Sequence, residues 1–384
     1  MTNLSGTCAI VGMGETVVGK RPDATTNSLH LEAIKACLDD AGIKASQVDG
    51  LLTNQPLNDS HRSYATKLSH MAGIDPLFAT DLALGGATPI AMVQSAVMAI
   101  EAGMATTVVC VHARKRSTAD PSPGHPIRRG DEHWEEPWGH FAAAGGHAFA
   151  AARHMHEFGT TIDQLAEIAV STRYNASHNP DAYYQDPITR DDVHNSRMMA
   201  TPLTKLHCCL RSDGGGAIVV TGADVARDCA HEPIWVLGTG QATSHTTMTD
   251  WDDFTESPAV VSGAQAFGEA GVRPAEIDCC QIYDAFTPMV LLSLEALGFC
   301  AKGEGGPFVA DGRLRLGGAL PTNTDGGGLS HCHPGMRAMF LLVEAVRQLR
   351  GVAHGRQVLD ARTACVNGTG GWWSSAATAI LARQ

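Results

Sequence analysis

This sequence predicts an α/β fold made of two similar halves, on three observations. Strand-length apolar runs alternate with helix-length amphipathic runs from the start of the chain. A second set of the same elements returns later in the same order. Each half also carries a glycine-rich turn ahead of a long apolar helix.

The elements follow in order. Residues 8–12, Cys-Ala-Ile-Val-Gly, read as a buried strand. Asn27-Ser28 opens a helix whose apolar positions are Leu31, Ile34, Ala36-Cys37-Leu38 and Ala41, and Gly42 stops it. A strand begins at Val48-Asp49-Gly50-Leu51-Leu52. An Ala-rich helix runs from about Thr88 to Ala102, stopped by Gly103, and Thr107–Val111 is the next strand. In the second half, Ala270-Gly271-Val272 and Ile277-Asp278 repeat Ala41-Gly42-Ile43 and Val48-Asp49. The glycine turns are Leu84-Gly85-Gly86-Ala87 and Asp325-Gly326-Gly327-Gly328-Leu329, each expected to feed a long helix. The halves divide as 1–225 and 226–384. An insert at about 113–205, richer in Pro, His, Trp and Tyr, reads as a cover over one face.

Composition narrows the function. The 384 residues suffice for two ordinary domains or one large fold, and 44% hydrophobic with 18% charged residues excludes a disordered tail or a membrane bundle. No run reaches the roughly 20 apolar residues that span a bilayer. Met1–Ile10 has no Lys or Arg ahead of its apolar run, which argues against a secretory leader. A net charge of −12, from 28 Lys+Arg against 40 Asp+Glu, disfavours a nucleic-acid binder. Arg114-Lys115-Arg116 and Arg128-Arg129 flank a Pro-rich loop. Solvated loop is the plainer reading for each and contact with an anionic ligand the sharper one. The 11 cysteines are odd in number and include the doublets Cys208-Cys209 and Cys279-Cys280. They read as reduced thiols of a cytoplasmic protein. His154-x-His156 and His331-x-His333 lack further ligands at zinc spacing, so no metal is expected. Gly12-x-Gly14 lacks the third glycine of a dinucleotide fingerprint.

The residues suited to chemistry lie at the glycine turns and in the C-terminal half. Backbone amides at a helix start favour a developing oxyanion such as a thioester enolate, and one such donor is worth about 2.7–4 kcal/mol of transition-state stabilisation. For either turn alone, tight helix–sheet packing is the plainer reading of the glycines. Cys279 to Thr287 reads as a strand ending in the polar pair Tyr283-Asp284, running into a helix with Leu294–Cys300. Further on come Asn323-x-x-Gly326-Gly327-Gly328-Leu329-Ser330-His331-Cys332-His333-Pro334-Gly335 and then Val366-Asn367-Gly368-Thr369-Gly370-Gly371.

These blocks, with Thr204–Gly216, resemble the thiolase superfamily along nearly the whole chain, most closely the branch similar to sterol-carrier-protein thiolases. The resemblance implies a thiolase-like five-layer αβαβα fold, a homodimer, and an acyl-CoA substrate handled beside its thioester. It also exposes departures. The position of the nucleophilic cysteine falls on Gly86, and no Cys lies between Cys37 and Cys110. Tyr283 replaces the His of the branch's His-Asp-Cys-Phe block, and Cys332 replaces a Gly before His333. The final Cys-x-Gly is lost near Asn367-Gly368, with Cys365 close by. This pattern resembles the thiolase-like aldolases of steroid side-chain degradation, although those carry Tyr where this chain has His333.

The resemblance implies the following roles. Tyr283 and His333 are the acid/base pair. Gly86, Asn323, Asn367 and Gly368 bind the oxyanion or substrate, and Asp284, His331, Cys332 and Cys365 are accessory. No cofactor is implied beyond the coenzyme A of the substrate. A small OB-fold, zinc-ribbon acyl-CoA-binding subunit is the implied partner, with no role for nucleic acid or membrane. Two other readings are an acyltransferase using Cys332 or Cys365, and a non-catalytic, lipid-transfer-like acyl-CoA-binding subunit. Trp134, Trp138, Phe141, Tyr183, Tyr184, Trp372 and Trp373 either line a large apolar pocket or pack in the core.

Overall fold

The computed structural model describes residues 4–56, 61–118 and 143–384. The first half contains β1 (Cys8–Glu15), α1 (Thr26–Ala41), β2 (Gly50–Thr53), α2 (Tyr64–Ala72), β3 (Phe78–Asp81), α3 (Thr88–Glu101) and β4 (Thr107–Lys115). Then come α4 (Ala143–Phe158), α5 (Ile162–Ala176), α6 (Arg190–Asn195), the hairpin β5 (Met198–Ala200) and β6 (Leu203–Thr204), and β7 (Asp213–Gly222) with α7 (Ala223–Ala226). The second half contains β8 (Ile234–Thr243), α8 (Ala259–Ala270), β9 (Cys279–Ile282), α9 (Thr287–Ala296), α10 (Gly305–Val309), α11 (Ala338–Leu349), β10 (Thr363–Gly370) and β11 (Ser375–Ala382).

Nine of the eleven described strands join into one sheet in the order β3-β2-β4-β7-β1-β8-β11-β10-β9, with β5 and β6 paired apart from it. Its seam is β1 against β8, where Ala9 faces Trp235 and Ile10 faces Ile234. Going outward from the seam, both halves repeat one pattern. Two antiparallel pairings (β1–β7–β4, β8–β11–β10) are followed by a parallel one (β4–β2, β10–β9). Helices α3 and α11 pack on each other and on strands of both halves, so they form the central layer. Helix α1 covers β1, β7 and β4 from outside, and α8 covers β8 and β11. Helix, sheet, helix pair, sheet, helix is the five-layer αβαβα arrangement.

Local chemistry explains the repeat. Thr25 caps α1 by accepting from the Ser28 amide, and Gly42 ends it in the left-handed region at φ 70°. The Gly12-x-Gly14 pair serves packing, because a Cβ at either position would strike the α1 backbone at Ala36–Cys37. Gly238 and Gly240 do the same against Ala266 and Ser262 of α8. Asp49 accepts from the amides of Thr106 and Thr107, both at 2.8 Å, where β4 begins. Its counterpart Asp278 accepts from Arg362 and Thr363 at 2.8 and 2.9 Å, where β10 begins.

Several expectations change. The Asp325–Leu329 turn does not feed a long helix directly. Gly327–His331 form a π-helical turn, Cys332 is extended, and α11 starts only at Ala338. Helix α9 stops at Ala296, and Gly298 at φ 79° turns the chain away, so Leu297–Cys300 lie beyond it. Trp134, Trp138, Phe141 and Arg128-Arg129 lie outside the described residues. Tyr183 and Tyr184 sit partly exposed, edge against face, while Trp373 is buried in ring contact with His147 and Trp251.

Hydrogen bonds to a charged acceptor are worth about 1.5–3 kcal/mol when shielded and less at a wet surface. We expect Asp49→Ala and Asp278→Ala each to lower stability to urea by about 1 kcal/mol. Because the two sites lie near opposite ends of the sheet, the double variant should show the sum.

Candidate active site

Tyr283 follows the last residue of β9, and its amide donates to the Asn367 carbonyl at 2.9 Å. From there the ring reaches the start of α3. A Cβ on Gly86 would lie 2.5 Å from Tyr283 Cζ and would also strike the Thr369 carbonyl. The ring therefore fills the space into which any side chain at position 86 would project. The Tyr283 hydroxyl donates to the Gly335 carbonyl at 3.1 Å. Burial raises its pKa and the Cys209 sulfur adds to this, against the pull of Arg116, so Tyr283 rests as the neutral phenol.

His333 meets the Tyr283 ring edge to face, with centroids 5.6 Å apart. Its amide donates to Ser212 Oγ at 3.0 Å, and Arg116 donates from a guanidinium nitrogen to His333 Nδ1 at 2.6 Å. His333 is only 4% exposed, and its Nε2 has no hydrogen-bond partner among the described residues. Burial, then Arg116 and Arg337, hold its pKa well below the ordinary imidazole value, so the ring is neutral.

The other predicted residues support this pair. Asp284 accepts from the Gly328 amide at 2.6 Å and the Leu329 amide at 3.3 Å, and so holds the π-helical turn. Burial pushes its carboxyl to about 6, against Arg337 and the Gly328 amide. Asp325 accepts from the Gly327 amide and from His331 Nδ1, both at 2.8 Å, and from Arg337. Burial would lower the His331 pKa, but Cys332 and Asp325 beside it raise it to about 10. Arg337 also donates to Cys332 Sγ at 3.6 Å. Asn323 accepts from the Ile282 amide at 2.8 Å, fixing the end of β9. Asn367 donates to Thr378 Oγ1 at 3.0 Å inside the sheet. Gly368 lies against the Gly86 carbonyl, 2.9 Å from where its own Cβ would be. Cys365 faces Cys280 across β10 and β9, and both are fully buried.

The structure thus joins Gly86, Gly368, Tyr283 and His333. It places Asn323, Asp284, His331 and Cys332 as supports behind them, and Asn367 and Cys365 within the sheet. It adds residues that the sequence did not single out for catalysis. Arg116 reaches His333 from the loop just past β4, and the Gly335 carbonyl anchors Tyr283. The Cys209 amide bonds to the Ala285 carbonyl at 2.8 Å, and its sulfur accepts from Arg116. Burial raises the Cys209 thiol to about 11, against the pull of Arg116. The available signal for Arg116 was its place just past the carboxyl end of β4, where open α/β sheets bind ligands.

A cavity of about 630 Å³, lined by Leu84, Gly85, His245, Gly371 and Ser375, borders the same glycine turn but does not include Tyr283 or His333. Among the described residues no three His, Cys, Asp or Glu side chains converge as a metal site. No helix among them is long and apolar enough to cross a membrane.

Comparison with known proteins identifies the family and the fold. Residues 8–226 match the thiolase N-terminal domain family and residues 240–383 the thiolase C-terminal domain-like family. A steroid side-chain-cleaving aldolase of Thermomonospora curvata is 38% identical, covering 92% of this chain and 93% of its own. A 17-hydroxy-3-oxo-4-pregnene-20-carboxyl-CoA lyase of Mycobacterium tuberculosis is 37% identical, covering 91% and 93%. Among solved structures, an Ltp2-ChsH2(DUF35) aldolase superposes with a TM-score of 0.90 at 34% identity, over 100% of this chain and 99% of that one. Human mitochondrial 3-ketoacyl-CoA thiolase shares the fold at a TM-score of 0.72 and 15% identity, over 100% of both chains.

The His331–Asp325 pair makes stability depend on pH. With the folded pKa of His331 raised to about 10, the folded chain keeps a proton that the unfolded chain releases near its ordinary value of about 6.5. The contribution is complete below that value and is lost as pH climbs toward 10. We expect wild type to lose about 1–3 kcal/mol more urea stability than His331→Gln between pH 7 and 10. Parallel stability profiles would refute the assignment.

Proposed function

Because this chain belongs to the thiolase superfamily, in the branch that resembles sterol-carrier-protein thiolases, we propose that it is an acyl-CoA aldolase. It breaks the Cα–Cβ bond of a β-hydroxyacyl-CoA without forming an acyl-enzyme. The observation that carries this reading is the Tyr283 ring packed on Gly86, where a thiolase holds its nucleophilic sulfur. The space for a thiol at the start of α3 is taken by a phenol. The names of the two relatives, an aldolase and a lyase, support the same reading, and a steroid-like acyl group is the substrate they favour.

The residues define a balanced step. The β-hydroxyl O–H bond breaks and its electron pair becomes the second bond of a carbonyl. The Cα–Cβ bond breaks, and its pair enters the enolate of the shortened acyl-CoA. Tyr283 takes the hydroxyl proton on its oxygen while passing its own proton to the α-carbon. A phenol whose pKa is raised by burial suits such a shuttle, because it never has to rest as phenolate. The Gly86 amide, in the first helical turn where N–H groups lack intrahelical partners, and the His333 ring bind the enolate oxygen, with Gly368 packed behind Gly86. Asn323 and Asp284 hold Tyr283 and the π-helical turn in place.

We extend the proposal to the assembly. The chain acts as a homodimer, supported by the outer edge of β3, which has no strand partner among the described residues. A small OB-fold, zinc-ribbon acyl-CoA-binding subunit is its partner, supported by the similar solved structure named for two components, Ltp2 and ChsH2(DUF35). A cytoplasmic setting is supported by the free state of all eleven cysteines.

Tyr283→Phe should reduce kcat for cleavage of a β-hydroxyacyl-CoA by roughly 10²–10⁴-fold. Intact-mass measurement during turnover should show no acyl adduct. An adduct on any cysteine would replace this reading with acyl transfer, and unchanged turnover by Tyr283→Phe would remove the proton shuttle.

A further inference from the structure

We propose that Arg116 is a positioning residue that fixes His333 as a hydrogen-bond donor to the substrate and denies it the role of base. A guanidinium carries only donors. Its 2.6 Å contact therefore requires a lone pair at Nδ1, and the ring proton must sit on Nε2. That Nε2 is the atom left buried and without a partner among the described residues.

The environment enforces this state from every side. Arg116 and Arg114 face His333 from the end of β4, and Arg337 faces it from just before α11. Tyr283 offers a neutral ring, and Ser212 takes the backbone amide. Asp284 is committed to the amides of Gly328 and Leu329, and Cys209 to Arg116. Nearby His112 is itself held neutral by burial. No carboxylate is hydrogen-bonded to His333 among the described residues. Two positions earlier, His331 has the opposite arrangement, with Nδ1 against the Asp325 carboxylate. An arginine and an aspartate thus assign opposite protonation states to two histidines of one motif.

Arg116 is held in aim by its neighbours. Fully buried Asp213 accepts from the Ser117 amide at 2.5 Å, the Thr118 amide at 3.2 Å and the Arg21 amide at 3.0 Å. The Arg116 carbonyl accepts from Arg211 at 3.1 Å.

This inference rests on the aldolase reading for the substrate contact, but its first test does not. The ¹⁵N spectra of the full chain with labelled histidine, assigned with His333→Gln, report the His333 tautomer directly. Between pH 6 and 9 wild type should show Nε2–H with no titration. Arg116→Gln, whose side-chain amide can accept as well as donate, should populate both the Nδ1–H and the Nε2–H tautomers. Arg116→Lys, which keeps the charge, should retain the neutral ring. Cleavage by Arg116→Gln should lose about 10²-fold in kcat with KM within about threefold. A proton on Nδ1 in wild type, or an unchanged Nε2–H tautomer in Arg116→Gln, would overturn the inference. Should the tautomer be as described while neither Arg116→Gln nor His333→Gln slows cleavage, the donor role falls and the aldolase reading stands; absence of any cleavage by wild type would instead remove that reading and leave the tautomer assignment in place.

Discussion

The contact that organises the site is the ring of Tyr283 against the bare backbone of Gly86. It joins the end of β9 in one half to the start of α3 in the other, across the central helix layer. A single Cβ at position 86 would overlap the ring and the Thr369 carbonyl together. A phenol and a side chain at position 86 are therefore alternatives. At this helix start the chain carries a phenol ring and no side-chain sulfur.

Buried charge holds that contact in register. Asp284 clasps the π-helical turn, while Asp325 gathers His331, Arg337 and the Gly327 amide. Further along α11, Glu344 takes Arg347 and Arg356, with all three largely buried. Such groups are costly to desolvate, so their contribution lies in definite geometry more than in net stability, and losing one partner strands the other. The neutral pair of Tyr283 and His333 thus lies beside the ion cluster of Asp325, His331 and Arg337.

Much of this was legible in the residues. The strand and helix order, the Gly42 stop and the repeat of Ala41–Asp49 as Ala270–Asp278 follow from periodicity and turn chemistry, which are local. The Asp49 and Asp278 clasps show why the repeat was readable, since the same carboxylate does the same work in each half. Tyr283 and His333 stood out because their motifs were otherwise intact. Local pattern misled at the Asp325–Leu329 turn, where a carboxylate from a distant strand end, Asp284, draws the amides into a π turn and delays α11.

Residue identity and short-range spacing are enough to give the architecture, the missing sulfur at position 86 and the choice of Tyr283 and His333 as candidate site residues. What fills the space above Gly86 and which side chain reaches His333 Nδ1 emerge from the folded arrangement. Arg116 stands far from His333 in the chain, and the two meet only when the end of β4 is brought beside the loop ahead of α11. Protonation state follows from burial and from such long-range partners, and these exist only after the chain has folded.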